Sequence, residues 1–133
     1  MLTKRFVTKN NDNLIEVAQY LLDHLTKSKV ILLDGELGAG KTTLLKHLAK
    51  LININEPITS STFNYMKTYK GLVHIDAYNL KGSIEEFEDY QGESDILAIE
   101  WASKLDLYFD NYISVKAYID GECNHIFDIE VIK

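Results

Sequence analysis

Between residues 29 and 43 the chain reads KVILLDGELGAGKTT. An apolar, partly β-branched run stops, and three glycines (Gly35, Gly38, Gly40) follow within a few residues. A lysine and two threonines then open TTLLKHLAKL, whose leucines recur at helical spacing. KVILLD fits a strand buried on both faces of a parallel sheet. What joins such a strand to a helix here must be compact and nearly bare of side chains. Gly35, Gly40, Lys41 and Thr42 satisfy G-x-x-x-x-G-K-[ST], the P-loop pattern. Phosphate oxygens reach several backbone N–H groups at once only where side chains do not block them, and some of those positions need φ > 0. The helix N-terminus adds unpaired N–H groups and a favourable dipole. Lys41 supplies a cation for the β- and γ-phosphates, the Thr42 hydroxyl a ligand for Mg²⁺, and Thr43 a contact to the α-phosphate. The expected nucleotide cradle is therefore Gly35, Glu36, Leu37, Gly38, Ala39, Gly40, Lys41, Thr42 and Thr43, with the acidic Glu36 side chain turned to solvent.

Two acids stand at the ends of apolar runs: Asp76 closes LVHID and Glu100 closes ILAIE. In open parallel sheets, ligands bind at the carboxyl ends of strands. Both carboxylates are thus expected at the rim that carries the glycine loop. One would hold Mg²⁺ and the other would orient or deprotonate an attacking water; the sequence leaves open which does which. Trp101 follows Glu100 directly, and a core role and a site role are weighed evenly. His24, His47, His74 and His125 show no metal-ligand spacing with one another or with Cys123 and are read as core or surface residues.

The remaining chain reads as further α/β elements. LTKRFVTK is a first strand. NLIEVAQYLLDHL is a helix with an apolar face at Leu14, Val17, Ala18, Leu21, Leu22 and Leu25, capped by Asn11 or Asp12. FNYMKTYK and LVHIDAY are strands joined through Lys70-Gly71, SIEEFEDY is a short helix, and DILAIEW is a buried strand. YISVKAYI and NHIFDIEVI form a hairpin about Asp120-Gly121. The fold class expected is α/β: a P-loop NTPase with a mainly parallel sheet flanked by helices and a C-terminal β-hairpin. Length fits one domain over residues 1–133, and 46% apolar residues allow a core.

The formal net charge of −6 argues against strong direct nucleic-acid binding. No apolar run is long enough to span a bilayer, MLTKRFVTKNN lacks a signal-peptide core, and the single cysteine fits a reducing compartment. A cytoplasmic location is expected. Arg5 is the sole arginine against thirteen lysines, which works against a small-molecule kinase with an arginine-bearing lid.

Four blocks in order, GELGAGKTT, SSTFNY at 60–65, HIDAYNL at 74–80 and IEWASKL at 99–105, resemble the TsaE family, whose members read GDLGAGKTT, SPTF, HFDLYRL and EWPER at these places. The resemblance covers most of the chain. It implies a small ATPase of tRNA threonylcarbamoyladenosine biosynthesis that uses ATP and Mg²⁺ and works with the TsaB–TsaD transferase complex, so that tRNA is met indirectly. It implies Thr42 and Glu100 as Mg²⁺ ligands, Asp76 as the other essential acid, Thr62 in a switch-like loop near the phosphates and Trp101 as the family's tryptophan; Lys41, read from the P-loop, is counted with Asp76 and Glu100 as catalytic. It places the adenine near the loop after the first strand, which makes Asn11 a contact there. The chain departs from the pattern at Ser61 (proline in the family), at Asn79 (arginine) and at Ala102-Ser103-Lys104, where lysine cannot form a planar bidentate clamp. Slow turnover without a partner is therefore expected. Two other readings stay open: a P-loop small-molecule kinase, and a nucleotide-gated interaction module without significant turnover.

Overall fold

The computed structural model describes residues 2–9, 14–35, 40–55, 66–77, 92, 95–104 and 109–133. Strand β1 (Leu2–Lys9) is followed by helix α1 (Leu14–Asp23), β2 (Val30–Gly35), α2 (Lys41–Leu51), β3 (Met66–Tyr69), β4 (Leu72–Asp76), β5 (Ile96–Glu100), a 3₁₀ turn (Ala102–Lys104), β6 (Tyr112–Ile119) and β7 (Asn124–Ile132). The predicted SIEEFEDY helix and the Asn11 or Asp12 cap lie outside the described residues.

Among the described residues seven strands join one sheet, in the order β1-β7-β6-β2-β5-β4-β3. Its centre, β6-β2-β5-β4, is parallel. Its margins are antiparallel: β3 on β4, β7 on β6, and β1 on β7. The expected mainly parallel sheet is thus corrected to a mixed one. The physical reason is connection length. The short link through Lys70 and Gly71 (φ 92°) cannot cross over, so it returns β3 into an antiparallel partner. The β6–β7 hairpin does the same at the other side, and β1 then pairs with β7 along its whole length.

The hairpin strands run as expected, and the turn opens at Asp120-Gly121 but continues through Glu122 and Cys123. Asp120 N–H donates to the Asn124 carbonyl (3.0 Å), and the left-handed residue is Cys123 (φ 64°). The Asp120 carboxylate stands in for a tighter turn. Its Oδ1 accepts the N–H groups of Glu122 and Asn124, each at 2.9 Å. Those bonds hold its pKa below the usual carboxylate range, the Asn124 N–H foremost.

Side-chain alternation divides the interior between the two sheet faces. One face packs Ile31, Leu33, Leu72, Ile96, Ala98, Val115 and Phe127 against the apolar stripes of α1 (Leu14, Val17, Ala18, Leu21) and α2 (Leu44, Leu45, Leu48, Ala49). Leu22 and Leu25 are half-buried at its margin. The other face gathers Val30, Val73, Ile75, Leu97, Ile99 and Ala102, with Leu32, Trp101, Phe109 and Tyr112 against them. β4 and β5 are almost entirely buried, which fits their apolar sequences. Both helices among the described residues therefore lie on one face. Among the described residues, no helix is long and apolar enough to cross a membrane.

Candidate functional site

The parallel register fixes the site. Leu33 on β2 stands opposite Glu100 on β5, and Glu100 stands opposite Asp76 on β4. All three strands end at one rim, where β2 hands over to α2. Gly35, Gly40, Lys41, Thr42, Thr43, Asp76, Glu100 and Trp101 all lie at this edge. Asn11, Glu36, Leu37, Gly38, Ala39, Ser61, Thr62 and Asn79 lie outside the described residues, as does the side chain of Lys104.

Gly35 has a reason to be glycine that its place in the motif does not reveal. It is the last residue of β2, paired with Ala117 of β6, at φ 142°. A Cβ there would collide with the Ala117 carbonyl. Gly40 is the N-cap of α2 at φ 107° and ψ 8°, a left-handed conformation that glycine adopts at low cost. It brings no side chain to the helix end. The first intrahelical bond runs from Leu44 N–H to Gly40 O at 2.8 Å. The N–H groups of Lys41, Thr42 and Thr43 are thus the early helical donors that intrahelical bonding leaves over.

Lys41 is 5% exposed and Glu100 3%, both far below what lysine and glutamate usually show. Burial on this scale requires partners. Lys41 Nζ donates to the Gly35 carbonyl and lies 3.6 Å from the centroid of the Trp101 ring. Burial pushes its pKa below the ordinary lysine value, and the attraction of Glu100, Asp34 and Asp76 partly offsets this. Glu100 accepts on both oxygens: Thr42 Oγ1–H donates to Oε1 at 3.0 Å, and His74 Nε2–H donates to Oε2 at 2.7 Å.

The backbone after Glu100 turns sharply. Glu100 O accepts Ala77 N–H (2.9 Å), and Trp101 N–H donates to Leu33 O (2.8 Å) while Trp101 itself sits at φ 61°. For a bulky residue that conformation is uncommon and costs of order 1–2 kcal/mol. It swings the indole over Lys41. The Asp34 carboxylate braces the turn by accepting Ser103 N–H at 2.8 Å.

His74 and Asp34 are site residues to which the sequence reading gave no site role, although His74 opens the HIDAYNL block. Both carried a signal. Each is a polar residue near the end of an apolar strand, and His74 shares a strand face with Asp76, two residues on.

Among the described residues no three His, Cys, Asp or Glu side chains cluster as a metal cage. The oxygen pair of Thr42 and Glu100 suits a different kind of ion site. Mg²⁺ takes one or two protein oxygens and draws its remaining ligands from water and phosphate.

A family model described as "Threonylcarbamoyl adenosine biosynthesis protein TsaE" matches residues 8–125. The chain belongs to the TsaE family. Among curated members, the tRNA threonylcarbamoyladenosine biosynthesis protein TsaE of Nostoc sp. is 35% identical, covering 86% of this chain and 76% of its own length. That of Aquifex aeolicus is 32% identical over 98% of this chain and 90% of its own. The crystal structure of Bacillus subtilis YdiB superposes with a TM-score of 0.76 over 99% of this chain and 87% of that one, at 22% identity, which speaks for the fold. The TsaE blocks read from the sequence therefore carry a true family relationship, and through the names of its members the family is tied to the threonylcarbamoyladenosine modification of tRNA.

Proposed function

We propose that this chain binds ATP with Mg²⁺ at the β2–α2 rim through a P-loop, hydrolyses it slowly alone, and in this way supports threonylcarbamoyl transfer to the adenosine next to the anticodon in ANN-reading tRNAs, acting with a TsaB–TsaD complex. The observation that carries the reading is the meeting of Thr42 Oγ1 with Glu100 Oε1 at 3.0 Å, beside the buried ammonium of Lys41.

The residues fit the groups they would hold. Thr42 and Glu100 offer the hard oxygens that Mg²⁺ prefers, and the ion would neutralise charge on the phosphates. Lys41 brings a cation with three N–H donors, in a setting where burial strengthens electrostatic attraction. The uncapped N-terminus of α2 offers further N–H groups to an anion. Glu100 is already engaged with Thr42, so it is the acid assigned to the metal. Asp76, half-buried opposite it on β4, is left to orient or accept a proton from water.

Arginine supply favours a partner. Arg5, the only arginine, lies on the edge strand β1, where its Nε donates to Asp128 Oδ1 at 2.6 Å. Three strand positions separate it from β2. A cation for charge developing on the phosphates would then come in trans. An acidic chain that meets tRNA through protein subunits is consistent with this arrangement.

The test is ATP hydrolysis by the purified chain, with and without a TsaB–TsaD complex and tRNA, and with Lys41→Ala as control. The reading predicts hydrolysis that the complex stimulates and the variant loses. Background hydrolysis with all partners present would remove the ATPase reading and leave the nucleotide-gated module. A phosphorylated small molecule separable from ADP would point to the kinase.

A further inference from the structure

His74 is wholly buried in an otherwise apolar strand, and its ring is used at one end. We infer that His74 is the positioning residue for Glu100: its Nε2–H holds Oε2 so that Oε1 stays aimed at Thr42 and the metal position. The inference rests on the Mg²⁺–ATP reading above.

Register makes the contact possible. His74 stands opposite Ala98, and Asp76 opposite Glu100. The imidazole therefore reaches Glu100 on the diagonal, and a small residue at 98 leaves it the space to do so. Glu100 is nearly as buried as the ring, so each carboxylate oxygen needs a donor. Thr42 serves Oε1 and His74 serves Oε2. A carboxylate accepts, so the proton on this bond belongs to Nε2. Nδ1 has no hydrogen-bond partner among the described residues. The ring is tied where it meets the acid. Groups that orient a ligating carboxylate without touching the metal typically change metal affinity by 10–100-fold when removed.

The two conservative replacements separate position from bulk. In His74→Gln the amide Nε2 falls near the imidazole Nε2 and keeps a donor toward Oε2. In His74→Asn the amide falls near Nδ1 and cannot reach. ATP affinity of the full chain is measured by calorimetry with Mg²⁺ and with EDTA, alongside a thermal melt of each variant. The expected result for His74→Asn is a Mg²⁺ enhancement of ATP binding reduced about 10-fold or more, with affinity in EDTA unchanged. His74→Gln should restore most of that enhancement. A wild-type enhancement in folded His74→Asn, or equal losses in both variants, overturns the role of His74 alone. A wild-type chain that binds ATP equally with and without Mg²⁺ overturns the Mg²⁺ reading itself and this role with it. Should His74→Asn fail to fold, nitrogen-15 NMR of histidine-labelled wild-type protein decides, with His74→Gln used to assign the signal. A proton on Nε2 supports the inference, and a bare Nε2 with the proton on Nδ1 overturns it.

Discussion

The ammonium of Lys41 lies 3.6 Å from the centroid of the Trp101 ring, and the two follow neighbouring strands, one opening α2 after β2 and the other following β5. A desolvated cation on the face of a tryptophan is worth about 2 kcal/mol, an exposed one about 0.5–1 kcal/mol. Lys41 is buried, so a double-mutant cycle of Lys41→Met and Trp101→Leu, read by chemical denaturation, should give a coupling of about 1–2 kcal/mol. Trp101→Phe should keep a good part of it. A coupling within about 0.3 kcal/mol of zero would mean that the stacking holds neither residue in place.

Gly35 is predicted to tolerate no side chain. Gly35→Ala must strain a φ of 142° and push into the Ala117 carbonyl on the neighbouring strand. The expected destabilisation is at least about 2 kcal/mol. In a domain of this size that lowers the melting temperature by about 5–10 °C. Gly121→Ala, where an added Cβ meets nothing within 4 Å, should melt close to wild type and serves as the comparison. Equal melting of the two variants would contradict the packing account of Gly35.

The Asp128 carboxylate is held below the usual carboxylate range, chiefly because Arg5 donates to it, with a further bond from Tyr118 Oη–H at 2.9 Å. A carboxylate with a depressed folded pKa contributes stability that is complete above its ordinary value and lost as pH falls toward the folded one. The stability gap between wild type and Asp128→Asn should therefore hold steady above about pH 5 and close below about pH 4. The pair is exposed, so the gap should be small and should shrink with salt. A gap that widened on acidification would reverse the sign argued for this group.

The longer elements were legible in the sequence. β1, β6 and β7 coincide with the runs read as strands, and α1 buries the stripe its leucines and valine mark out. The rim was legible too. A glycine loop between strand and helix, with acids closing two apolar runs, gathers at one end whenever those strands are parallel, and β2, β4 and β5 are. What escaped depends on pairing between distant residues. The antiparallel docking of β1 on β7 joins residues more than a hundred apart, and nothing local encodes it. The His74–Glu100 bond follows from the β4–β5 register, 26 residues apart in sequence. Gly35 looked like a residue shaped by its loop, while its closest constraint is a neighbouring strand. The hairpin turn was legible at Asp120-Gly121, but its length was not, because the Asp120 carboxylate organises a bend longer than two residues.

The central claim is that the rim joining Lys41, Thr42 and Glu100 is a Mg²⁺–ATP site. Isothermal titration of the wild-type chain with ATP, in Mg²⁺ and in EDTA, tests it most directly beside Lys41→Ala and Thr42→Val. The account predicts saturable one-to-one binding that Mg²⁺ strengthens. Lys41→Ala should weaken it by at least about 10-fold, the loss of one charge-assisted contact. Thr42→Val should bind in EDTA as wild type does and gain little from Mg²⁺. No saturable binding by the wild-type chain, or binding that Lys41→Ala leaves untouched, would contradict the assignment of this rim.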